Sequence, residues 1–137
     1  MKYSVAVIIP TYNRARTLRR TLESVFGQTR QPEEVCVIDD GSTDSTEVLV
    51  KEHFPQVIYI RQQNLGVSAA RNAGVEATFS DCVAFLDSDD EWLPKKLEVQ
   101  LSALEASPDI RLVHSDEIWI RNGRRVNQMH KHKKSGG

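Results

Sequence analysis

Val83-Ala84-Phe85-Leu86-Asp87-Ser88-Asp89-Asp90-Glu91-Trp92 is the stretch that decides how this chain is read. Four apolar residues run into a segment in which four of five side chains are acidic. A short apolar run followed by turn-forming residues reads as a buried strand. The carboxylates then lie at its C-terminal end, the edge at which open α/β sheets bind their ligands. Carboxylates packed together repel one another and resist desolvation. A site that gathers them usually offers something positive in return, most often a hard divalent cation. The competing reading is a strand entering a solvated helix whose first turn is acidic, with Asp90 and Glu91 at the helix start.

Upstream of this stretch the chain repeats the same pattern. Val5 to Ile9 is a continuous apolar run stopped by Pro10, and Glu34 to Ile38 is a second run that ends in Asp39-Asp40-Gly41-Ser42-Thr43-Asp44. Val57 to Ile60 is a third strand and Val83 to Leu86 the fourth. Runs without polar alternation suit strands covered on both faces, as in a parallel sheet. Helices are predicted between them. The first carries Leu18, Leu22, Val25 and Phe26 at helical spacing and ends near Gly27. A second carries Val48, Leu49 and Phe54, a third runs from Val67 to Phe79, and a fourth starts near Pro94 with Leu97, Leu101 and Leu104 inside. Arg111 to His114 reads as a fifth strand, and Ile118 to Val126 as a hairpin turning at Asn122-Gly123. Alternating strands and helices imply an α/β fold with a mostly parallel, Rossmann-like sheet and flanking helices. Residues 1–120 form the ligand-binding part, and 121–137 a hairpin end with a mobile basic tail.

Composition excludes several classes. The chain has 137 residues, 39% hydrophobic and 27% charged, an ordinary globular balance for one domain. A net charge of -1 argues against nucleic acid as a partner. Cys36 and Cys82 fall in apolar runs and read as buried free thiols, with no disulfide framework or zinc site. No stretch approaches the roughly 18 apolar residues of a membrane span. A cytoplasmic location follows as the expectation, with the basic tail as a route to peripheral membrane contact.

The loops after strands one, two and four open on one sheet edge. Thr11, Tyr12, Asp39, Asp40, Asp87 and Asp89 are therefore expected to face one crevice. Neither G-x-G-x-x-G nor the P-loop pattern is present, so the common phosphate fingerprints are missing. The crevice nevertheless suits a nucleotide. Tyr12 offers a flat face for a base, and an Asp40 carboxylate can accept an N–H from a uracil or thymine edge. Asp87 and Asp89 can share a metal and a ribose, a donor set that suits Mg²⁺ or Mn²⁺ with a diphosphate. Arg71, on a helix opening toward the same crevice, can neutralise phosphate charge.

Ile9-Pro10-Thr11-Tyr12-Asn13, Val37-Ile38-Asp39-Asp40-Gly41-Ser42-Thr43-Asp44, Gln63-Asn64-Leu65-Gly66 with Ala70-Arg71-Asn72, and Phe85 to Asp90 followed by Trp92-Leu93-Pro94 resemble the inverting family 2 glycosyltransferases of GT-A fold. The four motifs occur in order over residues 5 to about 100. The resemblance implies a nucleotide-diphosphate sugar donor, commonly a UDP-sugar, a divalent metal, and a saccharide, lipid-linked or other hydroxyl acceptor. It puts Pro10, Thr11 and Tyr12 in the base pocket, with Asp40 on the base and Asp39 beside it. Arg71 would lie near base or diphosphate. Asp87-Ser88-Asp89 would be the D-x-D motif, with Asp89 the direct metal ligand and Asp87 reaching ribose or metal-bound water. The implied chemistry is a single displacement with inversion, assisted by a carboxylate base.

Family members are usually longer, and the acceptor site and base lie in their second half. Asp116-Glu117 comes too early to be that base, so the chain is expected to be a donor-binding portion whose apolar surface favours self-association. Two alternatives follow. One is a nucleotide-binding module without turnover. The other is a sugar nucleotidyltransferase, disfavoured because the first loop lacks the Gly-rich, Arg- and Lys-bearing sequence such enzymes use.

Overall fold

In the computed structural model the described residues are 3–106 and the strands at 112–113 and 118–120. In chain order the elements are β1 (Val5–Thr11), α1 (Ala15–Phe26), β2 (Glu34–Asp39), α2 (Thr46–His53), β3 (Ile58–Arg61), α3 (Val67–Ala77), β4 (Cys82–Phe85), α4 (Lys96–Ala106), β5 (Leu112–Val113) and β6 (Ile118–Ile120). One sheet contains all six strands in the order β3-β2-β1-β4-β6-β5. The first four are parallel to one another, and β6 runs antiparallel to both β4 and β5. The chain winds outward from β1 through β2 to β3, then returns to lay β4 on the other side of β1. This reversal between β1 and β4 is the switch point at which such sheets leave a crevice.

Every residue of β1 is buried, because helices cover both of its faces. Val5, Val7 and Ile9 pack into a cluster with Leu18, Leu22 and Val25 of α1, Val50 of α2 and Leu97, Leu101 and Leu104 of α4. Ala6 and Ile8 point the other way, joining Ile38 of β2 with Ala70 and Val75 of α3. The strand's period of two thus distributes its residues between two cores. Full burial of each such Leu, Ile or Val side chain contributes roughly 1.5–3 kcal/mol.

The α3 side depends on one glycine. A Cβ at Gly74 would stand 2.5 Å from Ile8 Cγ2 and 2.7 Å from Ile38 Cδ1. Only a residue without a side chain lets the helix lie this close to β1 and β2.

Pro10 does not stop β1, which continues through Thr11. Glu33 N–H donates to Val5 O and Asp40 N–H to Thr11 O, so odd positions face β2. Cys82 N–H donates to Ser4 O and Leu86 N–H to Ile8 O, so even positions face β4. The β1–β4 register ends at Ile8 with Phe85. The N–H that Pro10 lacks would point where no strand waits for it, so the ladder loses nothing.

Other expectations shift for similar local reasons. Val48 is 55% exposed, and Val50 is the apolar residue that α2 buries. Helix α3 stops at Ala77, where Thr78 turns extended and its hydroxyl donates back to Gly74 O at 3.0 Å. Phe79 is left 85% exposed, with its N–H on the Glu34 carboxylate at 2.9 Å. Asp90 and Glu91 do not begin a helix, since α4 starts only at Lys96. Cys36 and Cys82 are buried and unpaired, and burial, reinforced by the Glu34 charge, pushes the Cys36 thiol up to about 12. Among the described residues no helix is long and apolar enough to cross a membrane. The Asn122-Gly123 turn, Asp116-Glu117 and the basic tail lie outside the described residues.

Candidate donor site

A cleft of about 480 Å³ opens at the C-terminal edge of β1, β2 and β4. That volume lies within the range of small-molecule sites. Seven residues singled out from sequence line it: Pro10, Thr11, Tyr12, Asp40, Asp87, Ser88 and Asp89. Arg14, Asn64, Val67 and Ala70 complete the wall. Asn64 and Ala70 stand in the quoted motifs but carry no expected site role, and Arg14 and Val67 stand outside those motifs. Arg14 had a usable signal, a cation directly after the first loop, whereas Val67 and Ala70 look like any helix residues.

The β1 side is fixed by Asn13. This residue takes a positive φ of 53°, which asparagine tolerates better than most side chains. Its N–H donates to Ser42 Oγ at 2.7 Å, and its Oδ1 accepts from Thr43 N–H at 2.8 Å. The loops after β1 and β2 are thereby tied together. Tyr12 is 46% exposed beside this tie, and the Thr11 hydroxyl is buried without a hydrogen-bond partner among the described residues.

Asp40 is 7% exposed. Its Oδ1 accepts from Gln62 Nε2 at 2.7 Å and Leu65 N–H at 2.8 Å, and its Oδ2 from Gly66 N–H at 3.0 Å. Burial acts to raise its pKa, but these three bonds to the ionised form outweigh it and hold the carboxyl below its ordinary value. Asp39 does not join the cleft wall. It is wholly buried, accepting from Ser42 N–H at 2.8 Å and from the Tyr59 hydroxyl at 2.5 Å, with Arg61 at 3.5 Å. Burial first, then the Asp39 hydrogen bond, pushes the Tyr59 hydroxyl well above its usual range.

After β4 the chain makes a turn closed by Asp90 N–H to Asp87 O at 3.1 Å. Asp87, Asp89 and Asp90 are exposed, and one carboxylate oxygen from each lies within 4.8 Å of the others. Asp90 thus stands beside Asp87 and Asp89 and not at a helix start. Glu91 points to α1, 3.8 Å from Arg20. Three hard oxygen donors on an open turn fit an oxygen-loving divalent cation that takes its remaining ligands from water or phosphate. Arg71 is not in the wall but stands behind it, 3.7 Å from Asp87 and over the Phe85 ring at 5.6 Å.

A doubly wound sheet with an acid-lined cleft at its switch point is the architecture at whose switch point open α/β folds bind ligands. The sequence model described as Glycosyl transferase family 2 matches residues 6–134. An uncharacterized glycosyltransferase of Nostoc sp. is 38% identical over 128 residues, covering 90% of this chain and 40% of that protein. The uncharacterized glycosyltransferase YibD of Escherichia coli is 39% identical, over 87% of this chain and 36% of that protein. Among solved structures, Staphylococcus aureus TarS 1-349 in complex with UDP-GlcNAc superposes with a TM-score of 0.66 at 28% identity, covering 75% of this chain and 31% of that one. The mannosyltransferase PcManGT of Pyrobaculum calidifontis, in complex with GDP-Man and Mn²⁺, gives 0.69 at 27% identity, over 83% and 35%. The chain belongs to glycosyl transferase family 2, with the GT-A fold, and spans about 40% or less of the length of these curated relatives.

Proposed function

We propose that this chain is the donor-binding part of a metal-dependent glycosyltransferase that moves a sugar from a nucleotide diphosphate, a UDP-sugar in the first instance, to an acceptor hydroxyl with inversion. One observation carries the reading: Asp87 and Asp89 share a single cleft with Tyr12 and Asp40 at the β1–β4 switch point. The neighbours' complexes with UDP-GlcNAc and with GDP-Man and Mn²⁺ support it by analogy.

In this reading Pro10, Thr11 and Tyr12 receive the base. Three of the lone-pair positions of Asp40 are already taken, so it offers a base N–H one remaining position and chiefly shapes the 62–66 loop. Asp89, with Asp87 and Asp90 beside it, would hold Mn²⁺ or Mg²⁺. A bound divalent cation would offset the charge that builds on the departing diphosphate. Arg71 holds Asp87 from behind and adds positive charge to the same corner. The acceptor, a saccharide or lipid-linked hydroxyl, and the base that deprotonates it are assigned to no described residue. A cytoplasmic, membrane-peripheral location and self-association accompany this reading.

Because the chain spans a minor part of its relatives, the second reading is a nucleotide-binding module without turnover. Calorimetric titration of UDP in Mn²⁺ tests the site: Asp89→Ala should bind far more weakly than the parent, and equal affinity would sink the donor-site assignment. Hydrolysis of a UDP-sugar by the parent separates the two readings, since a binding module gives none.

A further inference from the structure

The turn that carries the acids has no regular structure of its own. From Leu86 to Pro94 the chain is neither helix nor strand, yet it is partly buried and its peptide groups need partners. They find them on α1 and on Gln28 just beyond its end. Thr17 Oγ1 donates to Ser88 O at 2.9 Å. Thr21 Oγ1 reaches Asp90 O at 2.6 Å and Ser88 O at 3.1 Å. Ser24 Oγ accepts from Trp92 N–H at 3.1 Å. Gln28 donates to Leu93 O at 2.7 Å and accepts from Leu97 N–H at 2.9 Å. Positions 17, 21 and 24 recur at helical spacing on α1 and Gln28 follows just past its end, so these side chains form one polar stripe beside the apolar stripe of Leu18, Leu22 and Val25.

Helix surfaces usually turn Thr, Ser and Gln toward water, whereas here Thr21 is wholly buried and Gln28 is 4% exposed. The bonds also fall in a particular place. Ser88 and Asp90 are the residues on either side of Asp89, and the single Thr21 hydroxyl lies against the carbonyls of both. Asp89 is held by its flanks while its own carboxylate stays exposed.

We infer that the α1 stripe, with Thr21 at its centre, is a positioning device for the metal-binding turn. It fixes the backbone on both sides of Asp89, so that Asp87, Asp89 and Asp90 converge before a cation arrives. Without it, bringing three like charges together would have to be driven by the cation itself, and apparent metal affinity would fall. This inference rests on the donor-site reading proposed above.

The test is UDP binding by the intact protein, measured calorimetrically in Mn²⁺ and again in EDTA. Thr21→Val keeps the shape and removes the hydroxyl. It should weaken UDP binding in Mn²⁺ about tenfold, the scale of one lost hydrogen bond to a buried carbonyl, and leave binding in EDTA unchanged. Thr21→Ser keeps the hydroxyl and should restore the parental value in Mn²⁺. Should Thr21→Val fail to fold, Thr17→Val carries the same comparison, with a smaller loss because Thr21 still reaches Ser88 O. Equal loss in Mn²⁺ and EDTA would mean that the stripe merely packs, and no loss in Mn²⁺ would mean that it holds nothing that matters. Either result overturns the inference while leaving the donor site standing. A parent protein whose UDP affinity ignores Mn²⁺ overturns both.

Discussion

Asp40 and Asp89 line one cleft, but their carboxylates are held in opposite ways. At Asp40 the side chain is buried and accepts three hydrogen bonds, two of them from backbone N–H groups of the loop before α3. At Asp89 the side chain is exposed, and it is the flanking backbone that is bonded, to Thr17 and Thr21. One acid serves the architecture by using its charge internally. The other is served by the architecture, which leaves its charge available. Clustered acids in a cleft are therefore not equivalent, and where the hydrogen bonds go separates the two kinds better than position alone.

Substitution should split the two corners cleanly. Asp40→Ala strands the Gln62, Leu65 and Gly66 donors and should cost roughly 3 kcal/mol of stability in chemical denaturation. A loss below about 1 kcal/mol would show that water replaces the carboxylate there. Asp89→Ala should reverse the pattern. Mn²⁺-dependent UDP affinity falls by about a hundredfold, while stability holds or rises slightly because one like charge leaves the cluster. If Asp89→Ala unfolds the protein instead, the contrast between the two corners is lost.

A pH series sharpens the same comparison. Because hydrogen bonding holds the folded-state pKa of Asp40 below its unfolded value, its contribution is fully present above the unfolded pKa and fades as pH falls through the folded one. The Tm gap between parent and Asp40→Ala should be constant above about pH 5 and narrow below about pH 4. A gap that widens on acidification would contradict the bonded, ionised carboxylate. The smallest effect is expected at Asn13→Ala, which removes the Thr43 and Asp44 bonds and a favourable residue at positive φ. It should cost about 1 kcal/mol and weaken UDP binding in EDTA and in Mn²⁺ alike, because the loop it ties lies on the side of the cleft proposed to receive the base.

Much of this was legible in the residues. Val5–Ile9 and Glu34–Ile38 announce buried strands because nothing else explains apolar runs without polar alternation. The acid-rich turn announces itself through the same abrupt change of composition. What stayed hidden is long-range. Thr17, Thr21, Ser24 and Gln28 look like the wet side of an amphipathic helix, and only the path of residues 88–97 past α1 shows them as internal partners. Asp39 and Asp40 are chemically identical neighbours, but Asp39 ends β2 facing the interior while Asp40 begins the loop that lines the cleft. Pro10 looked like a stop because a sequence cannot show that β4 has already left its side. Val48 and Val50 lie about 200° apart, on nearly opposite faces of α2, but a helix of 8 residues gives periodicity too few turns to choose between them.

Gly74 sets a dimension as well as a fit. It lies seven residues from Val67, so the place where α3 rests on the sheet is about 10 Å from the end of the helix that walls the cleft. A helix seated on a fulcrum behaves as a lever. A methyl group at the fulcrum would lift the rod, and the far end, with Val67 and Ala70, would swing with it. The breadth of the opening is thus gauged by an atom that is missing, at a position no ligand would touch.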